Sequence, residues 1–274
     1  MLSPNFFNSV FVFPILNLLV LFYKGLVFLR IPGAFGLAII GLTIFVRLIL
    51  NPFFKQQLET AKKMQDIKPH IDRLSLQHKK DPKRLQQEQM KLYQQAGINP
   101  ASGCLFMIIQ IPIFIALYQT LSVFLLHGGA TKIISQINAV LYSPLLKIQS
   151  IDPWFFGFNL ALTPAKAKLW FYYTIPVITA ILQYLQVSVT TPAGKPLTSE
   201  VSGKQNNSKT SEVLHKDEKK NDTGDFQKAM NTQMKFIFPI MIGWFSYTLP
   251  VGLSLYWNIF SLFSIMQYRK MKKN

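Results

Sequence analysis

Apolar residues fall into five long runs separated by polar segments, and the run lengths read as membrane helices rather than as a soluble core. The first run, Phe6 to Leu29, is interrupted by Pro14, Asn17 and Lys24 at spacings of three and seven, which leaves one narrow polar edge on a helix. That edge predicts an N-terminal segment, residues 1–33, whose helix lies in the membrane interface with Lys24 and Arg30 reaching the headgroups. A sixth span is the competing reading of the same run. Spans are predicted at 34–54, 104–126 and 169–189. The last run, Phe236 to Tyr268, holds 33 residues, a helix of about 50 Å against a hydrocarbon core of about 30 Å. Leu249-Pro250-Val251-Gly252 interrupts it and predicts two spans, 236–249 and 251–268. The first of these is short, which requires a thinned bilayer or a place within protein.

The polar segments complete an all-α map. Residues 55–99 read as a helical hairpin: Ile67, Ile71 and Leu74 recur at four and three, and Leu85 and Leu92 are seven apart. Asp81-Pro82 supplies a cap followed by proline at the first helical position. Residues 127–168 connect the second and third spans, 190–233 form a flexible loop, and 269–274 are a basic tail.

Charge then sets orientation. Lys and Arg exceed Asp and Glu by 29 to 12, a net +17 that would suggest nucleic acid in a soluble chain. Here charged residues are only 15% of the whole and lie mostly between apolar runs, so no DNA partner is expected. Residues 55–99 carry 10 basic against 5 acidic residues, and with the tail they belong in the cytoplasm. Five spans then place the N-terminus outside and make 127–168 an outer connection. The lone Cys104 excludes an internal disulfide. No cleavable signal, lipid-bearing cysteine or transit sequence is read at the start, and a bacterial plasma membrane is the default location.

The predicted spans contain no Asp, Glu or His. That removes intramembrane aspartyl and metal-dependent proteases, and the carboxylate that ion-coupled transporters usually need. Without a glycine-rich phosphate loop, ATP hydrolysis is not expected either, and no cofactor is implied. What stands out is Arg47, the only charge between Gly36 and Leu50. Holding it near the centre of a membrane helix costs roughly 3 kcal/mol. Snorkelling is one way out, since the helix end is about 10 Å away. With no acid in any span to pair with it, a hydrated groove open toward the cytoplasm is the simpler solution.

Polar stripes on the other spans supply candidate groove walls. Gly36, Ile40, Thr43 and Arg47 share a face of span one; Tyr172, Thr179, Gln183, Gln186 and Thr190 share one of span three. Span five offers Ser254, Asn258 and Ser261 beside Trp257, and span two Gln110, Gln119 and Ser122 without a single line. Interhelical hydrogen bonding explains the stripes of spans three and five without any further role. Arg47 is what tips the reading toward a groove of Arg47, Thr43, Gln110, Gln183, Gln186, Ser254, Trp257 and Asn258.

Three long segments carry a resemblance. GLAIIGLTIFVRLILNPF, with KKMQDIKPHIDRL and DPKRLQQEQMKLYQQAGINP behind it, is similar to the arginine span and cytoplasmic hairpin of the YidC/Oxa family of membrane protein insertases. NPASGCLFMIIQIPIFIALYQTL resembles that family's second-span motif, and LPVGLSLYWNIFSLFSIMQ its last. The resemblance implies five core spans around a hydrophilic groove open to the cytoplasm and lipid and closed toward the outside. It makes Arg47 the groove arginine and matches Gln186 and Trp257 to family positions; the placing of Gln183 rests on the stripe alone. It implies nascent membrane proteins as clients, the lipid bilayer as surroundings, and a signal-recognition receptor, the ribosome or the Sec translocon as hairpin partners. Two departures are visible: no large outer domain is read before span one, and the basic tail is short, so functions tied to either are not expected.

The expectation is therefore a membrane insertase, not an enzyme, that moves short hydrophilic client tails across the bilayer, releases their apolar spans into lipid and assists folding. A channel or small-solute transporter, or a membrane chaperone that translocates nothing, are the other readings of a polar groove. Ion conductance in planar bilayers separates the first, and client tails that stay protease-sensitive on the cytoplasmic side the second.

Overall fold

The computed structural model describes residues 2–78, 81–98, 101–127, 131–190 and 233–273. Helices dominate these residues, and one small two-stranded sheet is the exception. The loop expected at 190–233 lies almost wholly outside the described residues.

Helix α1 (Phe13–Phe28) continues a wide turn at Asn8–Val12, and together they form 21 residues long and apolar enough to cross a membrane. The polar edge of α1 faces protein. Asn17 donates from Nδ2 to the Val140 carbonyl at 3.0 Å and accepts from the Tyr142 N–H at 2.7 Å. Lys24 donates to the carbonyls of Leu145 and Lys147. The ammonium expected among headgroups is instead taken up around a single 3-10 turn, Pro144–Leu146, too short to satisfy its own carbonyls.

Helix α2 (Ala34–Ile49) starts after Gly33, whose φ of 71° places the chain in the left-handed region. The sequence pattern carries this span to Phe54, yet the helix stops at Ile49 and the axis turns by 65° into α3 (Asn51–Gln77). Pro52 supplies the reason: it offers no N–H to the Leu48 carbonyl, and its ring crowds that oxygen. Helix α4 (Pro82–Gln95) folds back beside α3, with Ile71 and Leu85 buried, and Asp81 caps it by accepting from the Arg84 N–H at 3.1 Å.

Helices α5 (Ala101–His127) and α6 (Thr131–Ala139) lead to strands β1 (Trp154–Phe155) and β2 (Phe158–Asn159), paired antiparallel with Phe155 opposite Phe158. Phe155 fills a notch in α2 that only glycine leaves: a Cβ on Gly36 would stand 2.2 Å from its ring. After α7 (Pro164–Ala167), the carbonyls of Leu160 and Leu162 accept from the Gly252 and Val251 N–H groups, both at 2.9 Å. The segment between α5 and α8 is thus a packed cap on one end of the bundle, with Ile137, Ile148 and Leu160 buried.

Helices α8 (Thr174–Thr190), α9 (Phe238–Thr248) and α10 (Val251–Lys273) form the other half. The break between α9 and α10 falls at Leu249-Pro250, and α10 runs on past residue 268 into the basic tail. Gly243 lets α9 approach α8 closely; a Cβ there would lie 3.0 Å from Ala180 Cβ. Hydroxyls stitch the three helices, Thr179 to Ser246 at 3.2 Å and Ser246 to Ser254 at 2.8 Å.

Candidate functional site

Arg47 lies eleven residues along α2 from Gly36 at the capped end, about 16 Å down the helix. Only 2% of its surface is exposed. Helix α10 supplies the partners that the guanidinium needs. Nη1 donates to Gln267 Oε1 at 3.0 Å; Nη2 donates to the Phe260 carbonyl at 3.0 Å and to Ser264 Oγ at 2.9 Å. The rings of Phe54 and Phe260 each sit 3.9 Å from Cζ and offer their faces to the cation. Nε is buried with no hydrogen-bond partner among the described residues. None of these ligands carries a charge. The cation is solvated by oxygens and ring faces, and among the described residues no carboxylate pairs with it.

Gln267 has a second task, donating from Nε2 to Asn51 Oδ1 at 2.8 Å. A guanidinium has only donors, so the oxygen of this amide must face Arg47 and its nitrogen Asn51. The bond ties α10 to the first residue of α3, next to the 65° bend.

A cavity of about 300 Å³ lies beside the guanidinium, with room for on the order of ten waters. Arg47, Ser264 and Gln267 form one wall, Gln183 and Gln186 of α8 another, and Gln57 and Ala61 of α3 reach it from the hairpin root. Aromatic faces, including Phe114 and Trp257, make up much of the remainder.

Of the residues singled out in the sequence, Arg47, Gln183, Gln186 and Trp257 line this cavity. Gln183 Oε1 accepts from Trp257 Nε1 at 3.1 Å and from Ser261 Oγ at 3.3 Å, which holds α8 and α10 together along the wall. Thr43 and Ser254 do not line it. Thr43 donates to its own helix at the Ile39 carbonyl, 2.7 Å away, and Ser254 is engaged with Ser246. Asn258 is absent from the lining as well, its Oδ1 buried without a partner among the described residues. The Gln110 side chain lies outside the described residues. Helical spacing groups residues by face, but it does not separate the arc of α10 that meets α9 from the arc that meets the cavity. Sequence reasoning missed Phe54, Gln57, Ser264 and Gln267. The last two had a signal, since Ser261, Ser264 and Gln267 extend the polar stripe of span five in steps of three.

Comparison with known proteins bears on the chain as a whole. The family model described as 60Kd inner membrane protein matches residues 27–274. The membrane protein insertase YidC of Caulobacter vibrioides is 35% identical over 193 residues, 69% of this chain and 29% of that protein. The membrane protein insertase YidC of Oceanobacillus iheyensis is 28% identical over 279 residues, 98% of this chain and 85% of its own. The inner membrane ALBINO3-like protein 2 of Chlamydomonas reinhardtii chloroplasts is 30% identical over 250 residues, 91% of this chain and 52% of that one. The chain therefore spans under a third of the Caulobacter protein and about half of the chloroplast one. An all-α fold with a buried arginine and a family match over nine-tenths of the sequence place this chain in the YidC/Oxa family of membrane proteins.

Proposed function

We propose that this protein is a membrane insertase that draws short hydrophilic, acidic client tails toward Arg47 and passes the client's apolar span into lipid. The observation that carries this reading is a buried guanidinium with neutral ligands only, at the edge of a cavity large enough for solvent or a peptide side chain. A carboxylate at about 4 Å from such a cation gains about 4 kcal/mol at an effective dielectric near 20. That gain helps to offset dehydration of the tail.

The cap built from the segment before α8 supports a groove closed at one end, and the basic hairpin of α3 and α4 supports placing the other end in the cytoplasm. In this reading the chain has five spans, the short α9 sits where the bilayer is thin, and the C-terminus is cytoplasmic. Helix α1 lies in the outer interface, because Asn17 and Lys24 are both bound to the cap. Clients are nascent membrane proteins; the hairpin receives them or docks a signal-recognition receptor, the ribosome or the Sec translocon.

The test is insertion of a single-span client with an acidic tail into vesicles that contain only the purified protein. Arg47→Glu should abolish translocation of that tail, and Arg47→Lys should retain part of it. Unchanged insertion by the Glu variant would remove Arg47 as the receptor.

A further inference from the structure

We propose that Gln267 is a positioning residue that latches Arg47 to the hairpin root, and that a client carboxylate displaces it and frees that root. The identity of the incoming group rests on the insertase reading; the latch itself does not.

Side-chain contacts join the root of α3 to α10. Asn51 accepts from Gln267 at 2.8 Å, Gln65 accepts from the Tyr268 hydroxyl at 3.4 Å, and Phe54 packs on Arg47 and edge-on to Phe260. The Asn51 bond runs through Gln267, and Phe54 also rests on Arg47. The 65° bend lies between Arg47 and Asn51, where the backbone ladder is already interrupted, so side chains hold the angle.

Gln267 is also the ligand of Arg47 that is most readily exchanged. The Phe260 carbonyl belongs to a helical backbone, and Ser264 sits one turn further along the same helix. All three border the cavity by which a client would arrive, but the Gln267 amide alone hangs on a long, flexible side chain. An ionised oxygen makes hydrogen bonds roughly twice as strong as those of a neutral amide oxygen. A carboxylate reaching Nη1 therefore competes well with Oε1. Once Oε1 loses the guanidinium, the amide is no longer fixed with its nitrogen toward Asn51. Occupation of the groove would thus be reported at the hairpin, where partners bind in the proposed function.

The experiment uses the full chain in proteoliposomes, with Cys104→Ser and spin labels at the exposed positions Gln77 on α3 and Ile181 on α8. Without client, Gln267→Leu should shift or broaden the distance between labels, and an added aspartate-rich peptide should do the same to the unmodified latch. Gln267→Glu supplies an internal carboxylate. Because that group is tethered, it should lower insertion of an acidic-tailed client by about tenfold or more, and since a carboxylate has no proton to donate to Asn51 Oδ1 it should also shift the label distance as Leu does. Gln267→Asn, one methylene shorter, should fall between wild type and Leu in distance. A merely structural role predicts the opposite order, with Glu tolerated and Leu damaging. The latch is overturned if Gln267→Leu leaves the distance as in wild type, or if Gln267→Glu inserts clients normally. Arg47→Met separates the two readings: normal insertion by that variant sinks the insertase mechanism, whereas the distance change in Gln267→Leu would stand.

Discussion

Replacing Arg47 by methionine should separate stability from function. The guanidinium makes three hydrogen bonds to neutral acceptors and lies between two phenyl rings. Bonds of this charged kind contribute about 1.5 kcal/mol each at the low end, and the rings add about 1–2 kcal/mol. Against that, removing an arginine from membrane depth relieves roughly 3 kcal/mol, and a buried methionine recovers about 1.5–3 kcal/mol through apolar contact. The acceptors left behind are not stranded. Gln267 borders the cavity, where water can reach its Oε1, and Ser264 can donate to the Phe260 carbonyl one turn earlier in α10. The balance is a net change within about 2 kcal/mol, a melting shift of no more than about 4–8 °C for a chain of this size. Insertion of an acidic-tailed client should nevertheless be lost, while a client with a neutral tail is much less affected. Thermal unfolding in detergent, run beside vesicle insertion assays, reads both quantities. Collapse of the fold on Arg47→Met, or full activity with acidic tails, would refute the reasoning.

Three further outcomes follow from the packing. Gly36→Ala gains about 1 kcal/mol of helix propensity but drives a methyl group into the Phe155 ring, an overpacking that costs about 1–3 kcal/mol; the melting temperature should fall, and Phe155→Leu in the same chain should restore it. Ser246→Ala cuts the link between Thr179 and Ser254 and should cost about 0.6–1.7 kcal/mol with insertion intact, because these hydroxyls are removed from the cavity. A cysteine at Pro4, in a Cys104→Ser background, should label only from outside the cell if α1 lies in the interface; labelling only from the cytoplasm would make α1 a sixth span.

Part of the helix map was legible because long apolar runs without charge between polar segments declare helices. Ala34, Leu249-Pro250 and Asp81-Pro82 mark element ends in the sequence, and helix boundaries fall beside all three. The break at Leu50 was not read, although Pro52 was visible, because proline near an apolar run's end is compatible with either a bend or a terminus. The cap was not legible at all. Its stability comes from pairings such as Asn138 with Ile148 and Asn17 with Tyr142, the latter 125 residues apart, and no local pattern encodes them. Within the site, Arg47 and Gln183 could be found from composition and spacing. Gln267 could not be given its role, since its two hydrogen bonds depend on how α2, α3 and α10 converge.

That convergence bears on why a lone cation can be tolerated and remain useful. A carboxylate from the protein would have stabilised Arg47 more strongly, but the pair would carry no net charge and would attract no acidic tail. Water alone would preserve the charge yet leave the long side chain unoriented. Amide, hydroxyl and carbonyl oxygens, with two ring faces, meet most of the guanidinium's hydrogen-bonding demand and fix its position while leaving the full unit charge at the cavity edge. The absence of acids from every predicted span is thus a condition of the proposed mechanism, in which an aspartate introduced beside Arg47 would act as a permanent occupant.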